Sequence, residues 1–119
     1  MINFEEQMRK QVSSINKWGL EAAEKKPLAD YLAKMRETIL SEEMLKLDPK
    51  LSLGEKEARA RTSEAYKTHL KGLQEAEHQA LVAVAKRETA KAAWESLRSL
   101  CGMHKMHMKT FESEVEHEV

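Results

Sequence analysis

Cys101, His104 and His107 stand three residues apart, and their side chains are of the types that hold transition metals. The spacing argues against such a site. On a straight helix successive residues turn by about 100°, so Cys101 and His107 lie on different sides. Three ligands would need a kink at Gly102 or a second chain supplying some of them. Met103, Met106 and Met108 carry thioethers suited to soft metal ions, yet methionines of this kind more commonly serve as adaptable packing residues at an interface. The expectation is therefore no metal and no cofactor. Cys101, the single cysteine, excludes an intrachain disulfide and fits a reducing compartment.

Catalytic patterns are missing as well. The chain has no glycine-rich phosphate loop, no nucleophile elbow and no His-Glu-x-x-His zinc helix. Its glutamates mostly pair with nearby Lys or Arg in the manner of solvated helix faces, as Glu88 does with Lys91. Binding and assembly, rather than catalysis, are expected.

The clearest functional signal is charge distribution. Twenty Lys and Arg balance twenty Asp and Glu over 119 residues, so the whole molecule has no net pull toward nucleic acid or an anionic membrane. Locally the balance breaks. No acidic residue occurs between Glu95 and Glu112, where Arg98, Lys105 and Lys109 lie with His104 and His107. Lys86, Arg87 and Lys91 precede this stretch, and beyond Phe111 the sign reverses with Glu112, Glu114, Glu116 and Glu118. On one chain such a stretch is an ordinary helix face. Repeated around an oligomer, it is the positive surface that a phosphate backbone recognises, by backbone contact rather than base readout.

The elements that position these residues are helical. Aromatics make up 5% of the chain and charged residues 34%, with four glycines and two prolines, a composition of long helices. Phe4, Met8, Val12, Ile15, Gly19 and Ala22 recur every three or four residues, and Asn3 with Glu6 forms a capping pair at the start. Pro27 either opens a second helix or kinks one longer helix. Pro49 ends this N-terminal segment, and Ser52 with Glu55 caps the next helix. From Glu55 to about Glu114 no proline intervenes, which predicts one uninterrupted rod on the order of 90 Å long. The predicted division is an amphipathic N-terminal segment, 1–50, and a long capped C-terminal helix for oligomerisation, 51–119.

Within that helix Tyr66, Leu73, Ala80, Arg87, Trp94, Cys101, Met108 and Val115 fall seven apart. His69, Ala76, Ala83, Ala90, Leu97, His104 and Phe111 follow each by three. This is a coiled-coil heptad, and Leu70, Val84, Ala93 and Leu100 widen its stripe toward a bundle or higher oligomer. Tyr66, Leu73, Trp94, Leu97, Leu100, Met108 and Phe111 are the expected oligomerisation residues, with the strongest anchoring in the C-terminal third. Arg87, at a seam position, is expected to meet a carboxylate such as a neighbour's Glu88 or to face a solvated channel. The fold class expected is all-α, a helical bundle or coiled-coil oligomer.

The stretch Trp94-Glu95-Ser96-Leu97-Arg98-Ser99-Leu100-Cys101-Gly102-Met103-His104-Lys105, on a long helix after a shorter helical half, resembles UvsY-type phage recombination mediators. The likeness covers about the last 50 residues. It implies a helical homo-oligomer that binds single-stranded DNA and helps load a recombinase onto strands coated by single-strand-binding protein. Lys86, Arg87, Lys91, Arg98, Lys105 and Lys109 are then the phosphate contacts. The N-terminal half carries Glu37, Glu42, Glu43 and Asp48, so those contacts fall to the C-terminal helix.

An oligomeric accessory protein of DNA recombination or replication is the leading expectation. The alternative is an adaptor or inhibitor without a nucleic-acid role, offering the apolar face of Phe4 to Ala22 to a partner groove. No apolar run approaches the roughly 20 residues of a membrane span. Met1 to Glu6 lacks the basic-then-apolar order of a signal peptide, so the cytoplasm is the expected location.

Overall fold

The computed structural model describes residues 3–118, with side chains for 3–111. The heptad position Val115 and the acidic run Glu112, Glu114, Glu116 and Glu118 therefore have side chains outside the described residues. Every regular element among the described residues is a helix: α1 (Phe4–Leu45), α2 (Leu53–Arg61) and the long C-terminal α3 (Glu64–Glu118). None is long and apolar enough to cross a membrane.

α1 starts as its sequence dictates. Asn3 Oδ1 accepts the Glu6 backbone N–H at 3.0 Å, and Asn3 Nδ2 donates to the Glu6 carboxylate at 3.4 Å. These contacts satisfy a donor that the first helical turn leaves without a partner. Pro27 lies inside α1 and does not end it, so one longer helix forms. The proline lacks an N–H for the Ala23 carbonyl, but both residues are exposed and water can take that place.

α2 begins as expected, with Ser52 Oγ accepting the Glu55 N–H at 3.2 Å. The uninterrupted rod does not form. The chain leaves helix at Thr62 and Ser63 before restarting at Glu64. Two hydroxyls stabilise the break. Thr62 Oγ1 donates to the Arg59 carbonyl at 2.8 Å, and Ser63 Oγ donates to the Ala60 carbonyl at 2.8 Å. Ser63 Oγ then accepts the Tyr66 N–H at 3.2 Å, which makes Ser63 the cap of α3. Hydroxyl side chains that compete for backbone groups can break a helix where neither proline nor glycine stands.

The chain forms two compact units, Leu20–Ala83 and Met1–Gly19 with Val84–Val119, and α1 and α3 contribute to both. In the Leu20–Ala83 unit, Leu40, Ala60 and Tyr66 form a buried cluster, with Ile39, Met44 and Leu70 packed on it. Ala22 and Ala29 of α1, and Leu73, Ala76, Ala80 and Ala83 of α3, are buried too. α1 folds back antiparallel here, for Leu40 meets Tyr66 while the earlier Leu32 meets the later His69. Alanines let two helices approach closely, so the seam that buries least area per residue is the one closed within the chain.

Tyr66 and Leu73, expected at an interface between chains, are spent inside the chain at 6% and 5% exposure. His69, an exception in the heptad, is also accounted for internally. Its Nε2 sits 2.7 Å from the Leu32 carbonyl oxygen.

Candidate nucleic-acid interface

The basic residues of interest lie in the unit formed by Met1–Gly19 and Val84–Val119. Helical geometry sorts them. Lys91, Arg98 and Lys105 are seven apart, and a straight α-helix drifts only about 20° over seven residues, so the three line one edge of α3. Arg87 and Lys109 lie close to the same edge, whereas Lys86 is turned about 100° away from Arg87. Lys91, Arg98, Lys105 and Lys109 are exposed, and Arg87 is half-buried. The edge flanks the seam at every step, the position that charged residues take beside an apolar core.

Each cation has a distinct neighbourhood. Lys86 Nζ lies 4.2 Å from the centroid of the Trp18 ring, and Lys17 Nζ lies 5.0 Å from the same ring. Both distances fall within the range of cation–π attraction, which holds Lys86 on α1. The Arg87 stem passes Gly19, where a β-carbon would stand 3.8 Å from Arg87 Cδ. Arg87 Nε lies 3.5 Å from Glu88 Oε1 of its own chain but makes no hydrogen bond, although the atom is shielded from solvent. Its carboxylate neighbour is thus intrachain. Glu88 also receives Lys91 Nζ at 3.5 Å, an exposed pair of small energetic value. The Arg98 guanidinium lies 5.7 Å from the centre of the half-buried Trp94 ring. Lys109 is solvent-exposed near the end of the described side chains.

Arg98 and Lys105 also border a groove of about 740 Å³ between α1 and α3. Met8, Val12 and Cys101 give it an apolar lining, and the backbone of Gly102 leaves it open space. From α1 come Arg9 and Glu5, which pair with each other at 2.7 Å. With Glu5 engaged by Arg9, Arg98 and Lys105 leave the charge around this groove net positive. Arg9 was not legible as a member of this surface, because the α3 heptad carries no information about which α1 residues fold against it.

The apolar residues expected to assemble chains divide in two. Trp94 and Leu97 are half-buried by the chain itself, while Leu100, Met108 and Phe111 are 52%, 46% and 60% exposed. For Met108 and Phe111, which lie beyond His104, the cause is where α1 begins. Phe4, its first residue, stacks on His104 with ring centroids 5.8 Å apart, so α3 continues past the last turn that α1 covers. Met106, at 70% exposure, also lies beyond His104, while Met103, at 66%, stands just before it.

His104 is thus engaged with Phe4 rather than poised with Cys101 and His107. No group of three His, Cys, Asp or Glu residues able to hold a metal ion occurs among the described residues. No protein-family model matches the chain, and no curated protein or solved structure matches it either.

Proposed function

We propose that the chain is a helical, self-associating accessory protein of DNA recombination or replication. It holds single-stranded DNA along the basic edge of α3 and assists recombinase loading on strands coated by single-strand-binding protein. The observation that carries the DNA part is the alignment of exposed Lys91, Arg98 and Lys105 on one helix edge, with Lys109 beside it. No carboxylate occurs between Glu95 and Glu112 to neutralise Arg98, Lys105 and Lys109. Cations at about 10 Å intervals along one line suit a phosphate backbone, which contributes affinity without base readout. The resemblance of the Trp94–Lys105 stretch to UvsY-type mediators supports the same reading.

The adaptor alternative needs the apolar face of α1 to be free; Phe4 is stacked on His104 and Ala22 is buried, while Met8 and Val12 border the open groove.

The test is multi-angle light scattering after size exclusion, with and without a labelled single strand of roughly 30 nucleotides, at low and moderate salt. A defined oligomer should carry the strand and release it as salt rises. The variant Arg98→Glu/Lys105→Glu/Lys109→Glu should lose the strand while keeping its helical circular dichroism. Retention by that variant would remove the basic edge from the mechanism.

A further inference from the structure

Arg98 and Lys105 belong to the basic edge of α3, yet both also rim the groove of about 740 Å³ between α3 and α1. Every residue lining that groove falls in the unit formed by Met1–Gly19 and Val84–Val119. Arg98, Cys101 and Lys105 are three and four residues apart, so they share one face of the helix. The half-buried thiol thus lies between two cations, with Met8 and Val12 of α1 across the groove. Gly102 keeps the space open, for a β-carbon there would meet nothing within 4 Å. Phosphate contact along the edge uses the rim and leaves this apolar floor without a role.

The combination of floor and rim selects the occupant. An inorganic anion would leave Met8, Val12 and Cys101 facing water, and an apolar peptide would leave both cations unmatched. A fatty-acid-like anion has one charged end, whereas the rim presents two cations about 10 Å apart on a line that Lys91 continues. A nucleotide within a strand carries both parts, a flat base with apolar faces and an anionic phosphate on either side. A stacked strand advances about 3.4 Å per nucleotide, so about three nucleotides span the interval and the middle one stands beside the groove.

We infer that one base of the bound single strand leaves the stack and enters this groove, packed against Met8, Val12 and Cys101. The neighbouring phosphates stay on Arg98 and Lys105, so each cation keeps the partner that the basic edge gives it. Glu5, the carboxylate at the groove, is paired with Arg9 at 2.7 Å and does not face the strand unscreened. Thioether, alkyl and thiol groups make no pattern of strong hydrogen bonds, so any base fits and the binding has no sequence preference. It does distinguish single strands from duplexes. A paired base must give up its partner as well as its stack before it can enter, an added cost that a single strand avoids.

This inference rests on the DNA half of the proposed function. It is tested on the full chain by fluorescence anisotropy with two labelled strands of equal length, one bearing bases and one abasic throughout. The native chain should hold the base-bearing strand about fivefold more tightly, the low end of what stacking one base contributes. Both strands should show the same dependence on salt, because their phosphate contacts are the same. Gly102→Leu fills the groove without removing a cation, and leucine favours helix more than glycine does. That variant should bind the two strands equally and keep the salt dependence, with circular dichroism reporting its helices.

The unaltered chain supplies a second readout. Cys101 is the single cysteine, so the rate of its reaction with N-ethylmaleimide reports access to the groove. The base-bearing strand at saturation should slow that reaction several-fold, and the abasic strand should not. Equal affinity of the native chain for both strands, or equal protection of Cys101 by both, would overturn the inference and leave phosphate contact along the edge intact. A preference for bases that persists in Gly102→Leu would also overturn it, by placing the base elsewhere on the chain. A chain that retains neither strand at low salt would remove the DNA half of the proposed function, and this inference with it.

Discussion

His69 Nε2 lies 2.7 Å from the carbonyl oxygen of Leu32, a hydrogen bond linking residues 37 positions apart. A carbonyl only accepts, so the imidazole carries its proton on Nε2. This side chain occupies a seam position where an apolar residue belongs, and the bond is the reason it is tolerated there. It also fixes the register of α1 on α3 within the Leu20–Ala83 unit.

Replacing His69 by Leu should lower stability by about 1 kcal/mol, since the net contribution of one such bond is of that order. His69→Gln, which keeps a donor, should retain most of it. Urea unfolding followed by circular dichroism measures both. Equal midpoints for Leu and the native residue would show that the bond contributes nothing net.

The alanine seam gives a sharper contrast. Ala83 is 2% exposed, and Leu81, two residues before it, is 69% exposed. Ala83→Leu inserts three carbons where two helices touch and should cost about 1–3 kcal/mol by overpacking. Leu81→Ala should change stability by no more than about 0.5 kcal/mol, apart from helix propensity. Paired thermal melts test this, and a tolerated Ala83→Leu would mean that the seam is loosely closed.

Lys46, beyond the end of α1, supplies a pH signature. Its hydrogen bond to Glu43 at 2.9 Å, and then the charge of that carboxylate, raise its pKa above the ordinary lysine value. A raised pKa means that the charged form is favoured in the folded state. Its contribution is therefore complete below the ordinary lysine pKa and disappears as pH rises through the raised one. The stability difference between the native chain and Lys46→Met should be small and flat near neutrality, and should vanish only at strongly alkaline pH. A difference that vanishes below the lysine range would assign it to another group.

The proposed DNA contact predicts unequal effects among the six cations. Alanine at Lys91, Arg98 or Lys105 should each reduce the slope of log affinity against log salt by about 0.7, the value for one phosphate contact on a single strand. Lys86→Ala should leave that slope unchanged, because Lys86 is held on Trp18 and faces away from the edge. Fluorescence anisotropy across a salt series measures each slope, and equal losses at all four positions would point to diffuse attraction rather than an aligned edge.

The sequence by itself determined the helices and most of their ends. Asn3, Ser52 and Pro49 act on their immediate neighbours, and such local chemistry is written in residue order. The heptad likewise showed which positions of α3 face inward, because a 3.6-residue turn converts spacing directly into direction. Local reasoning failed once, at Thr62 and Ser63. There the break depends on hydroxyls bonding backward to Arg59 and Ala60, and Tyr66 stands where the fourth residue of a capping box would be Glu or Gln.

What covers the seam was decided only by the tertiary structure. An apolar stripe has the same pattern whether its partner is another chain or an earlier helix of its own. Here α1 folds back, buries Tyr66, Leu73 and the alanines, and recruits Lys86, Arg87 and His104 into intrachain contacts. It begins at Phe4, opposite His104, and so leaves Met108 and Phe111 exposed. Spacing along a helix sets the direction in which a side chain points, but only the packed chain determines what it meets there.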